Sequence, residues 1–295
     1  MSSISVLFKR GSLFNFKFPL QDTLLISGPN AGGGLMLLPA ARWPFKSTGK
    51  ILDSISTTGI YFADGKLIRS LQHNEYACLI EYGSYKNPKL TISEKACDVH
   101  DVLVRGEETV IVSTGSNEIV RFDSQGEVST VFKAEGEGDA WHLNCLDVWN
   151  GKLVVSAFGK TPDHRGWVGN TEGKGFVMEV ETGRTLVENL STPHSPRLIN
   201  GYKFICEANK SNAMVLNGSG PAKTLQFNGR LTRGMATGES HIYIGLSAFR
   251  GSDCVAGCET AAVAIVDRQT LNVVAIQPIP FPEIYDIIRL PAGSY

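Results

Sequence analysis

The chain has 295 residues, a formal net charge of -1, 42% hydrophobic residues and 19% charged ones. So balanced a charge offers no general attraction to a polyanion, which excludes nucleic acid and an anionic membrane surface as expected partners. The apolar content suits a globular chain with a large core, and the want of a Pro- or Ser-rich linker argues for one domain over residues 1–295.

The first ten residues, Met1 to Arg10, carry their charges after the apolar stretch, the reverse of a secretory signal. No apolar run approaches membrane-spanning length. A cytoplasmic chain is therefore expected. Cys78, Cys97, Cys145 and Cys206 fit this as reduced, small hydrophobes inside apolar strand patterns. The glycosylation triplets that start at Asn189, Asn209 and Asn217 are idle in such a compartment.

Next come two short strands, Thr23 to Ser27 and Gly34 to Leu38. The Gly-rich stretch between them, Gly28 to Gly34, lacks the Lys-Ser/Thr of a phosphate loop and reads as a turn. From about residue 58 the chain repeats itself. Segments start at Thr58-Gly59-Ile60, Val99-His100-Asp101-Val102, Trp141-His142-Leu143-Asn144, Pro193-His194-Ser195-Pro196-Arg197, Thr232-Arg233-Gly234 and Ile284-Tyr285-Asp286. The spacing, about 40 to 50 residues, is that of a four-stranded propeller blade. Because the last copy has only a few residues left and the N-terminal strands are unclaimed, the two ends should share one blade. The expectation is an all-β, six-bladed β-propeller whose closure removes exposed sheet edges.

Strands are clearest in the third and fourth blades: Thr109 to Ser113, Glu118 to Phe122, Val128 to Phe132, Leu153 to Ala157, Gly175 to Val180 and Thr185 to Leu190. Asn150-Gly151 and Asn200-Gly201 mark hairpins. No window shows sustained helical periodicity. Two blades carry insertions, Gly159 to Lys174 and Phe249 to Thr260, and loops of that length are often functional. Cys254 and Cys258 in the second insertion read as free thiols, with no second pair to complete a metal site.

The elements His142-Leu143-Asn144, Gly166-Trp167, Pro193-His194-Ser195-Pro196-Arg197, Thr232-Arg233-Gly234, Gly245-Leu246-Ser247 and Glu283-Ile284-Tyr285-Asp286 resemble an uncharacterised bacterial family. Its members are conserved hypothetical proteins with a domain of unknown function and look like six-bladed propellers. The resemblance covers most of the chain from about residue 58. It implies the architecture and no activity. This chain departs from the family pattern at Cys145, where Gly is usual, and at Val168, where Arg is expected.

In a propeller the first strand of each blade lines the axis, so matching positions of different blades converge. His100, His142 and His194 would then form a set of imidazoles able to hold a divalent cation such as Zn, Fe, Mn or Ca, with open positions for water or substrate. Asp101 and Asn144 would orient that set or join the catalysis. Arg197 and Arg233 would grip an anionic group of a small substrate. Tyr285 would donate a hydrogen bond, and His164, Arg165 and Trp167 of the long loop would cover the ligand. The same residues also permit a metal-free binding site or a packed polar channel, each Arg tying neighbouring blades. The expected function is a metal-dependent hydrolase, lactonase-like, or a lyase. The alternative is a non-catalytic module that binds a protein or sugar.

Overall fold

The computed structural model describes residues 1–41, 47–218, 220–250 and 256–293. A short helix, α1 (Ser3–Lys9), precedes β1 (Ser12–Asn15), β2 (Thr23–Gly28), β3 (Gly34–Leu38) and β4 (Thr48–Asp53). Then follow β5 (Thr57–Ala63), β6 (Lys66–Leu71), β7 (Ala77–Tyr82), β8 (Lys89–Ser93), β9 (Val99–Arg105), β10 (Glu108–Ser113), β11 (Glu118–Phe122) and β12 (Val128–Lys133). The next strands are β13 (Leu143–Trp149), β14 (Lys152–Ala157), β15 (Gly175–Glu179), β16 (Thr185–Leu190), β17 (Pro193–Ile199), β18 (Tyr202–Glu207), β19 (Asn212–Asn217) and β20 (Gly220–Gln226). The last are β21 (Leu231–Thr237), β22 (His241–Ser247), β23 (Ala262–Asp267), β24 (Val273–Pro278) and β25 (Asp286–Leu290).

Five sheets are four-stranded meanders, each opening on β5, β9, β13, β17 or β21, and the sixth has the order β1-β4-β3-β2-β25. This is a six-bladed β-propeller. The first strands begin within two residues of the repeat starts read from the sequence. In the closing blade β25 pairs with β2 antiparallel, Thr23 opposite Leu290 and Ser27 opposite Asp286. Such pairing joins N-terminal and C-terminal strands in one blade, with β25 as an edge strand of the five-stranded sheet.

Three elements lie outside the sequence reading. Helix α1 is seven residues long, capped by Ser2 Oγ accepting the Ser5 N–H at 3.3 Å, and it buries Leu7 and Phe8. Two turns are too few to establish a helical period. Strands β4 and β1 add to the closing blade, but β1 is mostly exposed and neither alternates clearly. Cys97 sits just before β9, half-buried, rather than inside a strand, whereas Cys78, Cys145 and Cys206 are buried. Cys258 is a free thiol, and Cys254 lies outside the described residues.

The hairpin turns follow their residues. Asn150 and Gly151 take φ of 50° and 79°, Asn200 and Gly201 of 51° and 81°, the doubly positive pattern of a type I′ turn. At Gly34, φ is 141° and a Cβ would stand 2.1 Å from the Asp53 carbonyl oxygen, so only glycine starts β3 there.

The chain divides into two compact units, one of residues 1–69, 80–90 and 227–295 and another of residues 70–79 and 91–226. The first holds two apolar clusters, around Leu24, Ile26, Tyr243 and Ile265 and around Leu25, Leu37, Ile60 and Leu67. In the second, Trp149, Val154, Val177 and Ile205 pack together.

One irregularity recurs. The pairing of β9 with β10 slips at His100, that of β13 with β14 between Leu143 and Leu146, that of β17 with β18 between His194 and Arg197, and that of β21 with β22 between Thr232 and Met235. A β-bulge bends its strand and re-aims side chains. The repeated sequence motifs are therefore bulge motifs.

Candidate functional site

In the second unit, β9 and β13 start with the histidines that define their repeats. The rings of His100 and His142 meet edge to face with centroids 4.9 Å apart. Each has a carboxylate. His100 Nε2 is 3.5 Å from Asp98, and His142 Nδ1 is 3.0 Å from both carboxyl oxygens of Asp139. Asp98 and His142 hold φ of 47° and 50°, a left-handed conformation that costs non-glycine residues energy and persists where surroundings enforce it.

The two carboxyls are driven apart. Burial pushes Asp139 up to about 7, aided by the Asp98 charge, against the pull of His100, the Trp167 hydrogen bond and Arg165. Burial would raise Asp98 as well, but the hydrogen bond to His100 and the charges of His100, His142 and Arg165 prevail, leaving it below the ordinary carboxylate range.

The long loop closes over this cluster. Arg165 N–H and Trp167 Nε1–H both donate to the Asp139 carbonyl, at 2.9 and 3.1 Å, and the Asp139 N–H donates to His164 Nδ1 at 3.1 Å. Trp167 lies 4.3 Å from the His142 ring, and Phe158 lies 4.2 Å from it. Arg165, itself exposed, sits 5.4 Å over the Trp167 ring. His164, Arg165 and Trp167 are thus brought to His100 and His142.

His194 takes a different place. Its ring is 5.3 Å from Phe158, Nδ1 is 2.9 Å from the Thr192 carbonyl and Nε2 is 3.1 Å from Asn144 Nδ2. A proton on Nδ1 directed at the carbonyl leaves Nε2 to accept from the amide. In this tautomer both nitrogens have partners, and the His194 ring packs on Phe158 while His100 and His142 pack on each other. Among the described residues no group of three or more His, Cys, Asp or Glu has metal-binding geometry.

The other expected site residues have partners within the fold. Asp101, 5% exposed, accepts the Val102 and Leu146 N–H groups at 2.8 and 2.7 Å, linking β9 to β13. Asn144, fully buried, joins His194 to the Cys145 thiol, which donates to its Oδ1 at 3.1 Å. Arg197 Nη1 donates to the Leu146 and Pro196 carbonyls at 3.1 and 3.0 Å. Arg233 and Tyr285 belong to the first unit: Arg233 lies 3.5 Å from Glu283, and the Tyr285 N–H donates to the Ser27 carbonyl at 2.8 Å.

Sequence reasoning missed Asp98, Asp139 and Phe158. For the acids a signal existed, since Asp98 stands two residues before His100 and Asp139 three before His142. Phe158 ends its apolar run without any mark of function.

Fold and cluster together define a six-bladed propeller with a His/Asp centre under a Trp-bearing loop. The family described as Domain of unknown function (DUF4915) matches residues 58–294, and the chain belongs to it. No curated protein matches the chain. Among solved structures it is similar to a chain of the nidogen/laminin complex, with TM-score 0.64 and 12% identity over 92% of this chain and 98% of that one. It is also similar to regucalcin, a calcium-binding protein from Agrobacterium tumefaciens strain C58, with TM-score 0.59 and 14% identity over 81% and 79%. A luciferin-regenerating enzyme has TM-score 0.58 and 12% identity over 78% of each chain. At such identities the likeness is one of fold.

Proposed function

We propose that the protein is an enzyme performing proton transfer on a small, polar, negatively charged molecule, as a hydrolase or a lyase. The single observation carrying this reading is the pair of imidazole–carboxyl contacts, His100 with Asp98 and His142 with Asp139, set side by side. Paired groups whose surroundings push their proton affinities in opposite directions divide naturally into acid and base. Asp139, pushed up to about 7, and His142 share a proton at the pH where one must move. Asp98, held below the ordinary carboxylate range, stays ionised beside His100.

In a hydrolase the base would take a proton from water as that water attacks a carbonyl carbon. In a lyase it would take one from the carbon beside a carboxylate while the leaving group departs with a proton from the acid. Arg165 would face the substrate's negative charge, and Trp167 with Phe158 would keep water from the His142 ring. The calcium that regucalcin binds is not carried over, because Asp98 and Asp139 are turned to imidazoles. A reducing, cytoplasmic setting belongs to the same proposal, supported by the five described cysteines, all free thiols.

The test is turnover by purified protein of two panels: lactones and esters bearing a carboxylate, and carboxylates with a leaving group on the β-carbon. Turnover of one panel, abolished in His142→Ala, supports the reading. Inactivity on both, with retained affinity for a protein or glycan, would instead favour the non-catalytic module.

A further inference from the structure

The two stems of the long loop flank an open pocket of about 390 Å³ in the second unit. Lys160 stands on one stem and Asn170 and Lys174 on the other, while Glu188 and Asn189 enter from β16 and Phe176 forms part of the floor. The volume is at the small end for ligand sites. It is separate from the residues of the His/Asp cluster, and no role has been given to it.

Three features point to a ligand. First, its charges are left to solvent: Lys160, Lys174 and Glu188 are exposed, and among the described residues they form no ion pair with one another or with any other side chain. Second, Lys160 is held ready, its ammonium 5.1 Å over the Trp141 ring and 5.3 Å over that of Phe176. Third, the pairing of β15 with β16 slips between Gly175 and Val177, and Asn189 opposite that slip takes φ of 62°. This bulge presents Glu188 and Asn189 to the pocket, an arrangement frequent beside binding sites.

The donor set selects the chemistry. Two ammonium groups are compact point charges suited to one carboxylate or phosphate. Asn170 and Asn189 each offer both a donor and an acceptor, and Glu188 accepts, a combination that reads hydroxyl groups. We propose that this pocket binds an anionic polyol: a small, hydroxyl-rich molecule with one carboxylate or phosphate between Lys160 and Lys174. Its occupant bridges both stems and thereby holds the loop that carries Arg165 and Trp167. The site stands apart from the catalytic reading, since its test is binding alone.

Calorimetric titration of the full chain with gluconate, glucose 6-phosphate and neutral glucose tests it. Binding of either charged probe is expected, with glucose at least about tenfold weaker, and the probe that binds names the anionic group. Lys160→Gln and Lys174→Gln should each weaken binding about tenfold, and because Lys174 is exposed its variant should keep the native melting temperature. His142→Ala should bind as well as the natural chain. The inference is overturned if neither charged probe binds, if glucose binds as tightly, if affinity survives both lysine substitutions, or if it vanishes in His142→Ala.

Discussion

His142 Nδ1 lies 3.0 Å from both carboxyl oxygens of Asp139, while the ring face is covered by Phe158 at 4.2 Å and Trp167 at 4.3 Å. A proton on this pair is shielded from bulk water on two sides. The contact spans three residues in sequence, and His142 adopts a left-handed backbone at the entry to β13.

A first expectation concerns that proton. Asp139 is pushed up to about 7, so a carboxyl titration near neutrality should appear in carbon NMR of Asp-labelled protein and vanish in Asp139→Asn. A carboxyl titrating near 4 in its place would remove the acid–base assignment.

Stability should follow the same group with a definite sign. The folded chain holds the Asp139 proton up to about pH 7, whereas an unfolded Asp releases it near the ordinary value of 3.8. The folded state therefore binds more protons across that window, and this group's contribution to stability falls as pH rises from about 4 through 7. Asp139→Asn removes the effect. Its melting temperature relative to the natural chain should be more favourable at pH 8 than at pH 5, measured by thermal denaturation at both.

Asp101 should prove structural. Removing its carboxyl in Asp101→Ala strands the buried Val102 and Leu146 N–H groups, at a cost of about 1–3 kcal/mol for each amide left unsatisfied. Urea denaturation should show that loss, while the near-neutral titration of Asp139 should persist in the folded variant. Full stability in Asp101→Ala would refute the tie between β9 and β13.

His194 should be indifferent to metal. With Nδ1 facing the Thr192 carbonyl and Nε2 facing Asn144, His194→Ala should leave the metal content of purified protein unchanged, and chelator should leave the melting temperature unmoved. Stoichiometric zinc or calcium lost in the variant would restore the three-imidazole centre.

Trp167 should report on its neighbour. A protonated imidazole quenches a nearby indole, so tryptophan emission should change across the titration of the His142–Asp139 pair. Trp167→Phe should abolish the change, although three other tryptophans remain.

The periodic features were readable without coordinates. Blade starts at His100, His142 and His194 and the Asn150-Gly151 and Asn200-Gly201 turns arise from short-range rules, strand period, turn conformation and a repeat length, and the shared closing blade follows from the strands that the repeat leaves over at either end. The site was readable only in part. His100, His142 and the loop residues Arg165 and Trp167 come together, but Asp98 and Asp139 had no mark beyond proximity to a histidine. Arg197, whose charge suggested a ligand, also donates to the Leu146 and Pro196 carbonyls.

What the sequence by itself determined is the ring of six similar blades, because every blade repeats one local pattern and such patterns need no knowledge of distant residues. Only tertiary structure decided which repeated histidines meet. The bulges at His100, at Asn144-Cys145 and at Ser195-Pro196 each turn one blade's side chains by an amount that the shared pattern does not encode. Two imidazoles are thereby aimed at each other and the third at Asn144, and the difference is set by which polar groups neighbouring strands leave within hydrogen-bonding reach.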